Sequence, residues 1–280
     1  MDLLRRTPTL FAILAALIEE HAGLHYGPDD ADVLVERVSV RAVERGFESL
    51  LDYYYFLRYD EGGKRELDAL VETLAVNETY LFREARPLVA LIESYLAPAI
   101  ERAGRARVWS AAAATGDEPL TLAMLLAERD LLSRVDILAT DLSEKVLAQA
   151  RRGELGRRSL RNQAPGCERW LRRDGERVTV DPQLVAAIRW SRFNLMDAPP
   201  ASFGSFDGIL LRNVLIYFSQ ATTAAVVQRL ASRLAPGGAL LVGVSESLLS
   251  LGTALRCEER SGVFFYESEG ASWLPHRSAY

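Results

Sequence analysis

The hydrophobic pattern of this 280-residue chain changes period near Arg105, and that change restricts the fold more than any other feature. Before it, apolar residues recur at three and four in VLVERVSVRAVERGF, ESLLDYYYFLRY, KRELDALVETLAV and ARPLVALIESYLAPAI, with breaks at Gly23 to Pro28, Gly46 and Gly62-Gly63. That spacing lines one face of a helix with apolar side chains. After it, short apolar runs (RVWSAA, VDILATD, IRWSRFNL, FDGILLRN, GALLVGV) alternate with helical segments. Such alternation predicts an α/β fold, a doubly wound parallel sheet with crossover helices. CEERSGVFFYESE reads as two strands around a turn at an antiparallel edge.

The expected organisation is a small all-helical domain over 1–76, a connecting segment and helix over 77–105, and the sheet domain over 106–280. The strand–helix rhythm breaks at about 152–188, where clustered arginines surround a Pro165-Gly166 turn and an Asp174-Gly175 turn flanked by RWLRR and ERVTV. A small antiparallel β-subdomain inserted into the sheet domain follows.

Composition narrows the classes of function. At 49% hydrophobic the chain can bury one large core and one small one. A net charge of −5, with basic residues scattered among acids, argues against nucleic acid as the partner. Cys167 and Cys257 lie far apart and form no ligand pattern with His21, His25 and His276, so neither a disulfide framework nor a metal site is expected, and the cytoplasm is the natural compartment. MDLLRRTPTLFAILAALIEEH superficially resembles a secretory signal. Leu10, Ile13, Leu14, Leu17 and Ile18 nevertheless share one helical face, and Glu19 and Glu20 follow with no cleavage site, which suits an amphipathic helix better. No run reaches the roughly 18 apolar residues of a membrane span, so no direct membrane insertion is expected.

VWSAAAATGDEP sits at the end of the first expected strand, where a loop of minimal side chains lets a nucleotide-like ligand approach the backbone. A dinucleotide calls for G-x-G-x-x-G with the pyrophosphate on the helix N-terminus. Here one glycine is followed by Asp117 and Glu118 where phosphates would sit. A phosphate-free, cationic ligand fits better, and S-adenosylmethionine is the candidate. Packing alone also produces alanine-rich helix starts. VDILATD ends in Asp141, placed to accept hydrogen bonds from ribose hydroxyls or to cap the helix that follows. FDGILLRNVLIYF delivers Arg212, Asn213 and, after a further apolar stretch, Tyr217 to the same crevice. Arg212 paired with an acid, and Tyr217 as a half-buried helix residue, are the structural alternatives.

With these residues assembled, the sequence resembles the CheR-type chemoreceptor glutamate methyltransferases. The likeness runs through NETYLFRE (77–84), VWSAAAATGDEP (108–119), ATDLSEKVLAQAR (139–151), NLMD (194–197), FDGILLRNVLIYF (206–218) and LAPGGALLVGVSESL (234–248). It implies a Rossmann-like class I methyltransferase fold that moves a methyl group from S-adenosylmethionine to glutamate side chains of the cytoplasmic domain of a bacterial chemoreceptor, leaving S-adenosylhomocysteine. Position by position it implies that Asn77, Thr79 and Arg83 face the cofactor, with Ala112 in the small-residue loop. Glu118 meets its methionyl end, Asp141 its ribose, Asn194 and Leu195 its adenine, and Asn213 and Val214 the side nearest the reacting centre. Arg83 and Tyr217 are implied as the catalytic pair that orients the acceptor carboxylate. Three departures stand out. Ala114 and Asp117 replace the usual serine and glutamate of the loop, and Val244 stands where a histidine is frequent. The RRDGERV turn is shorter than in members that dock on a receptor's tether peptide, which implies a tether-independent enzyme. Arg37, Arg41 and Arg45, spaced by four, read either as a receptor-docking stripe or as a solvated face with local ion pairs. Two rival readings stay open: a methyltransferase with a different acceptor, and a module that binds S-adenosylmethionine without turning it over.

Overall fold

The computed structural model describes residues 7–161 and 167–268. The expected Pro165-Gly166 turn and His276 lie outside them. Four helices open the chain: α1 (Pro8–Ala22), α2 (Ala31–Glu44), α3 (Leu50–Tyr59) and α4 (Gly63–Leu74). Thr7 starts α1 by accepting the Leu10 N–H on its hydroxyl, with Pro8 in the first turn, and Gly23 ends it in the left-handed conformation at φ 78°. The apolar faces meet in a core of their own, in which Leu14, Ile18, Leu34, Val38, Tyr53 and Leu70 have no exposed surface. Burying a side chain of this size contributes about 1.5–3 kcal/mol.

Arg37, Arg41 and the C-capping Arg45 of α2 make one local ion pair, Arg41 Nη1 to Glu44 at 3.7 Å, and also reach across to α4. Arg41 donates to both carboxylate oxygens of Glu66 on α4 (Nε–Oε1 2.7 Å, Nη2–Oε2 3.0 Å). Arg45 Nε lies 3.1 Å from Oε2, and the Tyr53 hydroxyl donates to Oε1 at 2.9 Å. Arg37 donates to the Leu74 carbonyl at 3.5 Å. Glu66 is only 6% exposed, so Arg41 and Arg45 clamp α2 to α4 through it. A buried carboxylate requires such partners.

Residues 75–84 have no regular structure beyond a turn at 81–84. One long helix follows: α5 (Ala85–Leu91) passes through a π-helical turn (Ile92–Leu96) into α6 (Ala97–Ala103). The sheet domain then runs β1 (Ala106–Ser110), α7 (Asp117–Ala127), β2 (Val135–Asp141), α8 (Glu144–Arg151), β3 (Glu154–Leu155), β4 (Leu171–Asp174), β5 (Arg177–Val180), α9 (Pro182–Ala186), β6 (Ile188–Arg192), β7 (Phe206–Leu211), α10 (Gln220–Ala231), β8 (Leu234–Val242), β9 (Leu255–Arg260) and β10 (Val263–Ser268). Seven strands form one sheet in the order β6-β2-β1-β7-β8-β10-β9. The pairs from β6 to β8 are parallel, and β10 and β9 add an antiparallel edge. The insert is the expected small antiparallel subdomain, a three-stranded sheet in the order β3-β5-β4.

Strand β1 is buried on both faces, as a central parallel strand must be. Val108 faces the core under the α5–α6 helix and α7, while Trp109 faces the opposite core. Trp109 has no exposed surface, its ring lies 5.3–5.5 Å from those of Phe206, Phe203 and Phe193, and its N–H donates to the Thr140 hydroxyl at 2.9 Å. The chain leaves β1 toward β2 and β6, then returns to β7 on the other side. The carboxyl ends of β1 and β7 therefore flank the point where strand order reverses, which is where such sheets open a crevice.

Candidate functional site

A cleft of about 1040 Å³, its open mouth included, lies at that switch point. Every candidate residue lines it: Asn77, Thr79 and Arg83 from the irregular segment, Ala112 and Glu118 from the β1–α7 turn, Asp141 from the tip of β2, Asn194 and Leu195 after β6, and Asn213, Val214 and Tyr217 after β7. The helical domain supplies part of the wall through Ala22, Leu24 and Val71. It is tied down by polar contacts. His25 N–H donates to the Tyr217 carbonyl at 2.8 Å, the Ser143 hydroxyl donates to Glu72 at 2.9 Å, and Asp68 bridges His21 (2.8 Å) and Arg192 (2.6 Å).

The small-residue turn is threaded between strand ends. Ala111 N–H donates to the Leu210 carbonyl, Ala113 N–H to the Thr140 carbonyl and Ala114 N–H to Asp141 Oδ2 at 2.8 Å. Asp141 Oδ1 accepts the Ser143 N–H at 3.0 Å, and Ser143 caps α8. Asp141 thus ties the β1–α7 turn to the start of α8 but does not cap that helix, a role Ser143 takes, and its carboxylate keeps lone-pair capacity for a ligand hydroxyl. Burial pushes its carboxyl above the usual range, against the N–H groups of Ser143, Ala114 and Leu142.

Of the two acids that follow Gly116, only Glu118 faces the cleft. Asp117 turns inward with no exposed surface and accepts the Thr115 hydroxyl at 2.7 Å. Glu118 is gripped from both sides, accepting from Ser110 Oγ at 2.8 Å and from Arg212 Nη1 at 2.8 Å. Arg212, its side chain 2% exposed, also bonds Glu84 Oε2 at 3.0 Å and the carbonyls of Arg83 and Glu84 at 3.1 and 3.2 Å. Its charge is thereby committed to two carboxylates, and the acid-paired alternative describes it. Asn194 lines the cleft, yet its amide is largely engaged, donating to the His21 carbonyl at 2.7 Å and accepting the Met196 N–H at 2.9 Å.

Sequence reasoning missed Glu246. Its carboxylate accepts the N–H groups of Asn213 (2.8 Å), Leu215 (2.8 Å) and Gly243 (2.7 Å), and so holds the turn that presents Asn213, Val214 and Tyr217. Asn213 sits at φ 58°, a left-handed conformation that asparagine tolerates better than most residues. A side chain at Gly243 would strike the Asn213 amide and the Glu246 carboxylate at 2.8 Å, which explains the glycine. The signal available in sequence was a lone acid after a strand-ending Gly-x-Ser. Val244, at the position of the absent histidine, is 70% exposed, and its N–H donates to Glu84 at 3.4 Å.

Arg83 and Tyr217 are charged and phenolic groups on the same cleft. Burial raises the Tyr217 phenol above its ordinary range, and the nearby Arg83 cation opposes that rise. The phenol is therefore a hydrogen-bond donor at neutral pH. The cleft presents the carboxylates of Glu118 in the first turn of α7 and of Asp141 at the tip of β2, and Arg212, the cation that reaches Glu118 there, is already paired with Glu118 and Glu84; the site is therefore chemically suited to a cationic, hydroxyl-bearing ligand and ill suited to phosphates. Among the described residues no cluster of His, Cys, Asp or Glu could hold a metal ion, and no helix is long and apolar enough to cross a membrane.

Comparison with known proteins decides the family. Residues 77–263 match the CheR methyltransferase SAM-binding domain, and residues 9–75 match the CheR methyltransferase all-alpha domain. The chain belongs to the CheR methyltransferase family. It is 32% identical over 252 residues to chemotaxis protein methyltransferase 1 of Pseudomonas aeruginosa, covering 86% of this chain and 91% of the relative. To the chemotaxis protein methyltransferase of Escherichia coli it is 32% identical over 253 residues (86% and 85% covered), and to that of Vibrio parahaemolyticus 34% over 244 residues (84% and 87%). This CheR-family chain is thus an S-adenosylmethionine-dependent methyltransferase of chemotaxis, and the mixed sheet with its helical N-terminal part is the architecture the resemblance implied.

Proposed function

We propose that this enzyme works in the cytoplasm and esterifies glutamate side chains on the cytoplasmic domain of a chemoreceptor, without needing the receptor's tether peptide. The observation that carries this reading is the placement of Arg83 and Tyr217 on the cleft that also holds Glu118 and Asp141. Glu118 would hold the amino group of S-adenosylmethionine and Asp141 its ribose hydroxyls, beside Asn77, Thr79, Ala112, Asn194, Leu195, Asn213 and Val214. When bound, the donor supplies an electrophilic methyl carbon on a positively charged sulfur, and S-adenosylhomocysteine is the product.

The acceptor carboxylate is already ionised at neutral pH, so the protein needs no general base. It must bring one carboxylate oxygen in line with the methyl group and strip water from it. The Arg83 guanidinium is a planar fork that fits a carboxylate, and the Tyr217 hydroxyl donates one more hydrogen bond. Because the acceptor loses its charge as the new C–O bond forms, this ionic grip is stronger on the substrate than on the transition state. Positioning, rather than charge stabilisation, is then the contribution of the pair, and the neutral ester leaves readily.

The test is transfer of labelled methyl to purified receptor cytoplasmic domains, with and without C-terminal tails, scored as a base-labile ester. Equal labelling of both forms is expected, with Arg83→Ala losing about a hundredfold in turnover. Cofactor binding with no receptor ester would refute the acceptor assignment, and dependence on the tail would refute tether independence.

A further inference from the structure

The segment that carries Arg83 has no regular secondary structure to hold it. Residues 75–80 lie outside any helix or strand, and the flanking Phe82 and Glu84 sit at φ 58° and 46°, which non-glycine residues rarely adopt. Placement of the Arg83 guanidinium therefore depends on what the segment leans against. Its nearest supports are Glu78, whose carbonyl accepts Arg83 Nη1 at 2.9 Å, and Tyr80, whose ring lies 5.7 Å from the guanidinium carbon. Both supports are held in turn by the insert. Arg161 donates to the Glu78 carboxylate at 2.6 Å, and its guanidinium lies 4.5 Å over the Tyr80 ring, on which Arg83 also bears. Two residues earlier, the Ser159 carbonyl accepts the Leu81 N–H at 3.0 Å. On the other side Phe82 N–H donates to the Thr121 hydroxyl of α7 at 3.0 Å. Backbone and side chains of the short stretch 159–161 thus reach the three residues Glu78, Tyr80 and Leu81.

We propose that Arg161 is a positioning residue for methyl transfer, setting Arg83 through Glu78 and Tyr80, so that the inserted subdomain takes part in turnover from its first turn. This rests on the reading of Arg83 as the group that faces the acceptor. The ion pair is poorly suited to any role in stability, since its side chains are 44% and 50% exposed and such pairs contribute little to folding. Its geometry matters because displacement of a positioning group by about 1 Å can reduce turnover a hundredfold. A cation is needed for two reasons at once, the carboxylate of Glu78 and the face of the Tyr80 ring.

The experiment compares the full chain with Arg161→Met, Arg161→Lys and Arg83→Ala, measuring kcat with a receptor cytoplasmic domain, the dissociation constant of S-adenosylhomocysteine, and Tm. Arg161→Met, which keeps length and loses charge, is expected to lower kcat about tenfold to a hundredfold while leaving the S-adenosylhomocysteine constant within about threefold. Its Tm should fall by no more than about 2–4 °C, the weight of an exposed pair. Arg161→Lys keeps a cation for both partners and should retain about a third of wild-type kcat. Wild-type kcat in Arg161→Met alongside an inactive Arg83→Ala overturns the inference and spares the role of Arg83. Equal losses in the Met and Lys variants, or a loss of cofactor affinity matching the loss of kcat, overturn it as well. Full activity of Arg83→Ala removes the underlying reading and this inference with it.

Discussion

Replacing Arg212 by methionine should loosen the sheet domain far more than any surface change. The side chain is 2% exposed and is bonded to Glu118, Glu84 and the carbonyls of Arg83 and Glu84. Methionine fills similar space but leaves two carboxylates, 13% and 23% exposed, with their shared cation gone. Removing one partner of a buried charge cluster costs about 3–5 kcal/mol, because the remaining charges are neither paired nor solvated. For a domain of this size each kcal/mol shifts Tm by about 2–4 °C, so a drop of about 6–20 °C is expected. Scanning calorimetry measures it, and titration with S-adenosylhomocysteine on the same samples reports whether Glu118 still presents its carboxylate. The loss of affinity should accompany the loss of stability, since Arg212 holds one Glu118 oxygen and Ser110 the other. A Tm within about 2 °C of wild type would show that the carboxylates find water instead, and would refute the argument.

Three further outcomes follow from single contacts. Glu246→Ala strips three N–H groups of their acceptor and frees Asn213 from its left-handed turn, so S-adenosylhomocysteine should bind roughly tenfold to a hundredfold more weakly by calorimetry. Gly116 sits at φ 91°, and an added Cβ would lie 2.9 Å from Ala150 and from the Trp190 ring; Gly116→Ala should lower stability by about 1–3 kcal/mol in urea titrations, and an unchanged midpoint would contradict the crowding. Burial alone would raise the Glu267 carboxyl, but the Tyr95 hydroxyl and Arg260 hold it below its ordinary 4.5. Its contribution is therefore complete above pH 4.5 and lost as pH falls through the lower folded value. The stability gap between wild type and Glu267→Gln should be constant from about pH 5 to 7 and shrink below 4.5.

How far the site could be read in advance depended on sequence distance. Strand ends were legible because each apolar run stops at its tip, so Asp141 and Asn213 could be assigned to one edge of the sheet before any contact was known. Asp117 and Glu118 could not be told apart, since adjacent helical residues point about 100° away from each other and only packing shows which direction is the cleft. The spacing of Arg37, Arg41 and Arg45 gave a shared face, while their partner Glu66 lies 25 residues beyond Arg41 on another helix. Arg212 meets Glu118 and Glu84 from 94 and 128 residues away, and nothing local marks that meeting.

The sequence alone determined the main helices and the strands of the large sheet, where those strands end, and that the first turn carries acids instead of a phosphate cradle. These follow from periodicity and from residue chemistry, which act over a few residues. Tertiary structure alone decided which charges are spent on holding the site and which stay free to meet a ligand. Arg41, Arg45, Arg212, Asp117 and Glu246 are bound up in the frame, Glu118 and Asp141 are bonded into it while also lining the cleft, and Arg83 and Tyr217 stand on its wall. The reason is physical: a buried charge must find its counter-charge in space, and the fold, not the local sequence, sets which groups come within 3 Å.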